Sequence, residues 1–259
     1  MKINLILLDS YIIYKFYKNK EKINIKKEEK MILLLLLVLI IPSILTFLQP
    51  DTGAVIGYII ITISMLYISG IDKKWLYLLL ILTLIIIITF SITYLINKDL
   101  LINIFGKNIV YRIDRIINWK NKSGLQLNNS LIAIGSSGLI GHRKIPLYYP
   151  EASTDFIFTS YASSYGLIGI ILFFIFIISF DTHLIKIMKN ENNYENKYTL
   201  FAIISLFFYQ QFQSISMTLG LLPINGITLP LISYGGSSIL SYLILIGIVQ
   251  NIRSKQKKL

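Results

Sequence analysis

The chain has 259 residues, of which 54% are hydrophobic and 15% are charged, and it contains no cysteine. With a mean hydropathy of +0.66, this composition excludes an ordinary soluble domain, in which about a quarter of the residues are charged. The absence of cysteine excludes a disulfide framework and a thiolate metal site. In a soluble protein, a net charge of +12 would suggest nucleic acid as a partner. In a membrane protein, the placement of the charges indicates orientation instead. No nucleic-acid partner is therefore expected.

Residues 1–30 are predicted to form a basic cytoplasmic or interfacial lead-in. Its apolar start is short and interrupted by Asp9, which is typical of an interfacial stretch or of the remnant of a span. Six apolar segments follow that approach or exceed the length of about 18 residues typical of a membrane-spanning helix. The predicted fold is therefore an all-α polytopic membrane protein with a membrane domain at residues 31–250 and a basic tail at residues 251–259. We expect its spans at residues 31–48, 54–70, 75–96, 156–180, 199–221 and 230–249.

Lysine and arginine are distributed unevenly between the two sets of connections. One set contains 16 of them in 48 positions, at residues 15–30, 71–74, 181–198 and 250–259. The other contains 8 in 72 positions, at residues 49–53, 97–155 and 222–229. Because cytoplasmic connections carry an excess of basic residues, the first set is predicted to be cytoplasmic, with both termini on that side. Residues 97–155 then form one long outer loop with interfacial helices, and a loop longer than about 15 residues is usually functional or disordered.

Within this outer loop, the sequence IVYRIDRII at residues 109–117 has apolar residues at helical spacing. Such a helix would lie on the membrane surface and hold Arg112 and Arg115 on one face. Guanidinium groups bind phosphate through paired donors, so the two arginines are a candidate anion site. The alternative is an interfacial helix that binds lipid headgroups without selectivity.

Three further segments combine small, polar and acidic residues. LNNSLIAIGSSGLIGH, at residues 127–142, would let a ligand or a neighbouring helix approach closely, or would simply be a flexible turn. PEASTDFIF, at residues 150–158, places Asp155 at the start of a span. This position suits both a helix cap and a carboxylate that accepts a proton from a substrate hydroxyl. The GGSS sequence at residues 235–238 falls inside the last predicted span, where tight helix packing is the alternative to a ligand site.

In this order, the segments resemble one protein family. QPDTGA (49–54), YRIDRI (111–116), the LNNSLIAIGSSGLIG stretch, PEASTDFIF and GLLPINGITLPLISYGGSS (220–238) are similar to the SEDS family of shape, elongation, division and sporulation proteins, which includes FtsW, RodA and SpoVE. The resemblance runs from about residue 31 to residue 250, and its last two motifs are the most specific. It implies a multi-pass protein of the bacterial cytoplasmic membrane.

The resemblance also implies a function. Members of the family polymerise lipid II into glycan strands, as inverting peptidoglycan glycosyltransferases that work with a class B penicillin-binding protein. It implies that Asp155 is the residue that polymerisation requires. A mechanism then fits the residues, in which Asp155 is the general base and Arg112 and Arg115 stabilise the departing pyrophosphate. A divalent cation could assist at the pyrophosphate, although the sequence shows no ligand cluster for it. The further substrate-binding candidates are Gln126, Ser137, Gly138, Lys144, Thr154, Ser237 and Ser238.

Two features depart from the family pattern. The QPD motif follows the first long span of this chain, whereas in the family it normally follows the fifth. In addition, Ser163 and Ser164 stand where the family usually carries a pair of glutamates. These departures are compatible with a divergent paralogue, a truncated gene product or one half of a split enzyme. They leave open two other functions, a non-catalytic membrane partner of a penicillin-binding protein and a transporter of lipid II.

Overall fold

The computed structural model describes residues 1–17, 25–49, 51–97, 119, 124–142 and 151–256. This part of the chain contains eight helices and no strand. In chain order they are α1 (Lys2–Tyr17), α2 (Ile25–Leu48), α3 (Thr52–Ser69), α4 (Lys73–Ile96), α5 (Leu125–Gly135), α6 (Ile157–Lys189), α7 (Tyr194–Thr218) and α8 (Gly236–Gln256).

Each of the six predicted spans overlaps a helix, and the predicted all-α membrane fold is confirmed. Within the described residues, α2, α6, α7 and α8 are long and apolar enough to cross a membrane, and residues Gly53–Ser69 of α3 form a shorter apolar helix. The predicted outer loop at residues 97–155, between the third and fourth predicted spans, contains α5. The interfacial helix predicted at residues 109–117 lies outside the described residues.

Polar residues set the ends of the shorter helices. At the start of α3, Asp51 Oδ1 accepts a hydrogen bond from the amide of Ala54 at 2.9 Å, and Gly70 ends the helix in the left-handed conformation with φ 79°. Asp72 precedes α4 and forms an ion pair with the Lys74 ammonium at 3.0 Å. Hydrogen bonds from the Lys74 side chain and amide lower the pKa of Asp72. Asp51 and Asp72 thus satisfy amides that the first turn of a helix leaves unpaired. Only residues 70–72 connect α3 to α4.

Helix α7 lies at the centre of the bundle. It packs against α1, α3, α5, α6 and α8, and Leu206 and Phe207 near its middle are fully buried. Helices α2 and α6 instead expose long aliphatic and aromatic side chains, such as Leu37 and Ile175. Since lipid solvates apolar side chains, exposed faces of this kind are expected of helices at the periphery of a membrane bundle.

Residues 1–17 differ from the predicted lead-in, because they contain α1, which is part of the bundle. It packs against α2, α3 and α7, and Leu5, Ile6 and Ile13 are at most 2% exposed. Asp9 is fully buried, and its Oδ2 accepts a hydrogen bond from Thr62 Oγ1 on α3 at 2.8 Å. The acid that interrupts the apolar stretch is therefore paired with a distant hydroxyl, which hydropathy along the chain cannot reveal.

The described ends of the chain, Met1 and Gln256, lie near opposite ends of α8. The placement of both termini on the cytoplasmic side stays a prediction. Met1 lines the same cavity as Ser237, at the start of α8. Gln256, the last residue of α8, donates a hydrogen bond to Glu191 Oε2 at 2.6 Å. Since α8 has 21 residues and a helix rises about 1.5 Å per residue, its two ends are far apart.

Helix α6 is interrupted at Gly166, where φ is 61° and ψ is −158°. Beyond the break, the amide of Leu167 donates to the carbonyl of Gly138 at 3.0 Å. Before it, the carbonyl of Ser163 accepts from the amide of His142 at 2.8 Å. The turn that follows α5 therefore provides partners for backbone groups that the break removes from the helical pattern.

The last helix begins later than predicted, at Gly236 rather than at residue 230. Pro230 lacks an amide donor, and Leu231 has φ 65°, which is incompatible with a right-handed helix. The GGSS sequence consequently spans the start of α8 and does not lie within a continuous helix. The residues between α7 and α8 form a loop that reaches the turn preceding α6.

Candidate active site

The residues EASTDF form a compact turn that ends where α6 begins. The carbonyl of Glu151 accepts hydrogen bonds from the amides of Thr154 at 3.2 Å and Phe156 at 3.1 Å. The Thr154 hydroxyl also donates to the Glu151 carboxylate at 2.6 Å. The residue that caps α6 is Phe156 and not Asp155, so the position of Asp155 is set by the turn.

Ser233 joins this turn to the loop between α7 and α8. Its hydroxyl donates to the carbonyl of Thr154 at 2.7 Å and accepts from the amide of Leu229 at 2.8 Å, and the side chain is 2% exposed. Next to it, the amide of Tyr234 donates to the carbonyl of Ser153 at 2.9 Å. A buried hydroxyl with both a donor and an acceptor partner fixes its two neighbours firmly, because either partner would otherwise be left unsatisfied.

Helix α5 is held against α6 and α7 by a buried hydrogen-bonded group. Ser130 Oγ donates to the carbonyl of Thr218 at 2.9 Å and lies 2.6 Å from Thr159 Oγ1. A serine hydroxyl carries one proton, so Thr159 is the donor in the second contact. Trp119 adds a contact in the same region, since its indole Nε1 donates to the carbonyl of Gly220 at 2.8 Å.

These contacts enclose a cavity of about 510 Å³ beside the half-buried Asp155. Gly226 lies directly opposite this carboxylate, because a Cβ atom built on it would be 3.5 Å from Asp155 Oδ2. With φ 70°, Gly226 has a conformation that other residues rarely adopt, so glycine suits this close approach. The cavity is lined by Trp119, Gly124, Leu125, Gln126, Leu127, Glu151, Asp155, Phe156, Ile224 and Gly226.

A second cavity, of about 430 Å³, adjoins the first at Gly226. Polar side chains from five helices and from Asp51 at the start of α3 line it, and they include Lys2 and the buried Gln210. Burial lowers the pKa of the Lys2 side chain below its usual value, and the nearby Asp51 carboxylate offsets part of this shift. The first cavity thus presents the carboxylates of Glu151 and Asp155, and the second presents Lys2, the Asp51 carboxylate and several hydroxyls.

The predicted site residues fall into separate groups. Asp155 and Gln126 line the first cavity, and Ser237 and Ser238 line the second. Thr154 lies in the turn and helps to position Asp155 through the hydrogen bonds described above. The basic candidates Arg112, Arg115 and Lys144 lie outside the described residues.

Ser137 and Gly138 are placed away from both cavities. Ser137 donates from its hydroxyl to the carbonyl of Ile134 at 2.7 Å, and Gly138 pairs with Leu167 beyond the break in α6. The small size of both residues allows another segment to approach closely, as the sequence suggested, and this segment is helix α6 of the same chain. The structure thus supports the packing alternative for this segment.

Sequence reasoning missed Glu151 and Lys2 as cavity residues. Glu151 precedes Asp155 by four positions within the same motif, and this spacing was the available signal. Lys2 lies in a segment assigned to the lead-in, so only the packing of α1 reveals its position. Among the described residues, no group of three or more His, Asp or Glu side chains could hold a metal ion.

Comparison with known proteins identifies the family. The profile of the FtsW, RodA and SpoVE family, described as "Cell cycle protein", matches residues 1–258. The chain belongs to this family. The profile match extends through α1, so it includes the segment that sequence reasoning placed outside the membrane domain.

Curated relatives carry names that refer to cell-wall synthesis. The chain is 37% identical over 233 residues to "Probable peptidoglycan glycosyltransferase FtsW" of Buchnera aphidicola subsp. Baizongia pistaciae, an alignment that covers 83% of this chain and 57% of the relative. It is 32% identical over 223 residues to "Peptidoglycan glycosyltransferase MrdB" of Helicobacter pylori strain J99, covering 83% of this chain and 55% of the relative. The chain therefore spans somewhat more than half the length of these relatives.

Solved structures share the fold. One, described as "Structural coordination of polymerization and crosslinking by a peptidoglycan synthase complex", matches with a TM-score of 0.67 at 22% identity, covering 85% of this chain and 60% of that one. A mutant of the rod shape determining protein RodA of Thermus thermophilus matches with a TM-score of 0.62 at 18% identity, covering 98% of this chain and 64% of that one. Both likenesses confirm a polytopic helical membrane protein.

Proposed function

We propose that this chain polymerises lipid II into glycan strands as a peptidoglycan glycosyltransferase of the bacterial cytoplasmic membrane. The observation that carries the proposal is the position of Asp155, whose carboxylate lines a cavity and is held by a turn joined to a second loop. Family membership and the names of the curated relatives support the same activity.

In the proposed reaction, Asp155 acts as general base. The sugar 4-hydroxyl of the acceptor attacks the anomeric carbon of the lipid-linked donor, and its proton passes to the Asp155 carboxylate. As the new glycosidic bond forms, the bond from the anomeric carbon to the pyrophosphate oxygen breaks, and undecaprenyl pyrophosphate leaves with the electron pair. Attack opposite the leaving group inverts the anomeric centre, and one carboxylate suffices as base for this single displacement.

The departing pyrophosphate needs cationic partners, because negative charge develops on it in the transition state. We assign this role to Arg112, Arg115 and Lys144, as the family resemblance implies. Lys2 is an additional candidate, since it lies with Ser237 and Ser238 in the cavity that adjoins the Asp155 cavity. A divalent cation at the pyrophosphate would supply further charge neutralisation.

An apolar groove of about 750 Å³ supports binding of the polyprenyl chain. It runs between α3, α4 and α7 and is lined almost entirely by aliphatic and aromatic side chains, including Ile63, Leu79 and Phe208. Long isoprenoid chains associate with such surfaces without specific polar contacts. The polar cavities and this groove would accommodate the two parts of an amphipathic substrate.

We further propose that both cavities open at the outer face of the membrane and that the basic end of α8 is cytoplasmic, with a class B penicillin-binding protein as the partner. The excess of lysine and arginine at the opposite end of the bundle supports this orientation. The solved complex described as coordinating polymerization and crosslinking supports the choice of partner.

A second candidate is a non-catalytic membrane partner of the penicillin-binding protein. The observation in its favour is Ser163, which is fully buried at a position where the family usually carries a glutamate, and whose hydroxyl has no hydrogen-bond partner. Since an acid inside a membrane bundle is usually functional, its replacement by serine favours loss of one step of the reaction.

Polymerisation of purified lipid II distinguishes the two functions. We expect the wild type, with its penicillin-binding protein, to form glycan strands, and Asp155→Asn to slow polymerisation by about 100-fold or more, the usual effect of losing a general base. The matched control is Asp72→Asn, which removes a carboxylate at the opposite end of the bundle and should leave the rate unchanged. Equal rates from wild type and Asp155→Asn would refute the catalytic role. A folded wild type that forms no polymer would support the partner function.

A further inference from the structure

A groove of about 490 Å³ runs along the second half of α6, at the end of the bundle remote from the two cavities. Phe176 and Phe180 form its apolar part, whereas Thr182, His183 and Lys186 form its polar part. Phe180 is anchored by Phe207 of the central helix, with ring centroids 5.8 Å apart. The groove thus changes from apolar to polar along the helix axis.

Arg253 of α8 brings a second cation to the polar end. Its guanidinium nitrogen lies 3.0 Å from His183 Nε2. Since a guanidinium has donors only, His183 Nε2 is the acceptor of this hydrogen bond. The remaining guanidinium donors and the Lys186 ammonium are exposed.

The acids near this end of α6 do not neutralise these cations. Asp181 accepts a hydrogen bond from Gln211 Nε2 at 3.2 Å, and Glu191 accepts from Gln256 Nε2 at 2.6 Å. Within the described residues, the one ion pair is that between Lys74 and Asp72, and it involves neither Lys186 nor Arg253. Neither acid therefore forms an ion pair with Lys186 or Arg253, so both cations can bind an external anion.

The length of the groove matches one leaflet of a bilayer. Phe176 and Lys186 are ten positions apart on one helix, which corresponds to about 15 Å at 1.5 Å per residue. The hydrocarbon layer is about 30 Å thick, so half of it is the same length. An acyl chain beside Phe176 and Phe180 would place its phosphate at the level of Lys186 and Arg253.

From this match of charge and length, we propose that the groove along α6 binds an anionic phospholipid, with the phosphate at Lys186 and Arg253 and an acyl chain along Phe176 and Phe180. Basic pockets between helices at one membrane face bind anionic headgroups by this combination of charge and apolar contact. The inference is independent of the proposed polymerase activity, because none of these residues lines the cavities near Asp155.

The test measures lipid binding to the purified full chain in detergent by native mass spectrometry. Phosphatidylglycerol and phosphatidylcholine with identical acyl chains are titrated separately. The double variant Lys186→Gln/Arg253→Gln removes the site, and Lys30→Gln/Lys73→Gln removes the same charge from other exposed positions at this end of the bundle. We expect selective binding of phosphatidylglycerol to the wild type, weakened about fivefold for each site cation removed, and affinity within about twofold of wild type in the control.

Three outcomes would overturn the proposal. Equal affinity for the two lipids would exclude a requirement for anionic charge, and equal losses in both double variants would indicate a diffuse effect of net charge. Complete displacement of phosphatidylglycerol by inorganic phosphate would identify a free-anion site without an acyl-chain contact. Because Lys186 and Arg253 are exposed, the variants should keep the wild-type melting temperature in lipid-free detergent. If the double variant is unstable, Lys186→Gln alone provides the same test with a single step in affinity.

Discussion

Ser233 shows how one side chain positions the proposed catalytic group without touching the substrate. It lies on the loop before α8, yet its hydroxyl connects the amide of Leu229 with the carbonyl of Thr154, the residue that precedes Asp155. Such a contact is worth more than an exposed hydrogen bond, because its loss leaves two buried backbone groups without partners. Ser233 is therefore a positioning residue of the candidate active site.

Replacing Ser233 by alanine is expected to lower both stability and activity. The free energy of unfolding should fall by roughly 1–3 kcal/mol, the cost of leaving buried polar groups unsatisfied. The polymerisation rate should fall while the affinity for lipid II changes little, since Asp155 is retained but held less precisely. Thermal unfolding in detergent and a lipid II polymerisation assay measure the two effects.

Two further variants separate positioning from a general effect of losing a hydroxyl. Ser254→Ala removes an exposed hydroxyl that donates to the carbonyl of Asn251 at 2.8 Å, so it should alter neither quantity. Ser233→Thr retains a hydroxyl and should recover part of the rate. A Ser233→Ala variant with wild-type rate and stability would show that the contact has no role in positioning Asp155.

At the scale of elements, the break in α6 depends on two glycines that meet at the turn after α5. A Cβ atom built on Gly166 would lie 2.5 Å from the amide nitrogen of Gly141, and one built on Gly141 would lie 2.3 Å from the carbonyl oxygen of Ser164. Gly166 also has φ 61° and ψ −158°, a region essentially restricted to glycine. Both the backbone conformation and the available space therefore require glycine.

Gly166→Ala should be far more destabilising than Gly70→Ala. Gly70 has a comparable φ of 79°, but a Cβ atom there would meet nothing within 4 Å, so its replacement should cost only the left-handed penalty of about 1–2 kcal/mol. At position 166 the clash with fixed backbone adds roughly 1–3 kcal/mol of overpacking to the backbone cost. Denaturant or thermal unfolding of the two variants measures the difference. Equal losses of stability would show that the turn after α5 is not packed into the break.

At the scale of the whole molecule, the bundle has two chemically different ends. One end contains the cavities with Asp155 and Lys2, and the other contains the uncompensated basic residues of α6 and α8. The helices between them cross the full distance, so a side chain at one end cannot reach the other. If the chain lies in the membrane as proposed, the two ends face different compartments.

Single cysteines test this arrangement, and the absence of native cysteine makes the labelling unambiguous. Ser153→Cys places a thiol at an exposed position of the turn beside Asp155, and Lys255→Cys places one at the exposed basic end of α8. A membrane-impermeant maleimide should label the first variant in intact cells and the second only after permeabilisation. Labelling of both variants in intact cells, or of Lys255→Cys alone, would contradict the proposed orientation.

Hydropathy alone determined the approximate positions of six helices, because a long apolar segment in lipid must satisfy its own backbone hydrogen bonds. The PEASTDFIF motif likewise located Asp155 at the start of a span, and its family resemblance suggested the role of a general base. Both are properties of contiguous residues, so a single sequence contains the information. The same reasoning did not find α1, since its decisive polar contact joins Asp9 to Thr62, 53 positions away.

Only the tertiary structure decided which residues share a cavity and where the helices begin and break. Gln126, Glu151 and Gly226 meet around Asp155 because α5, the turn and the loop before α8 converge there. The break at Gly166 is filled by a turn from another element. Such contacts depend on packing between segments far apart along the chain, and the periodicity of any one segment contains no information about its partners.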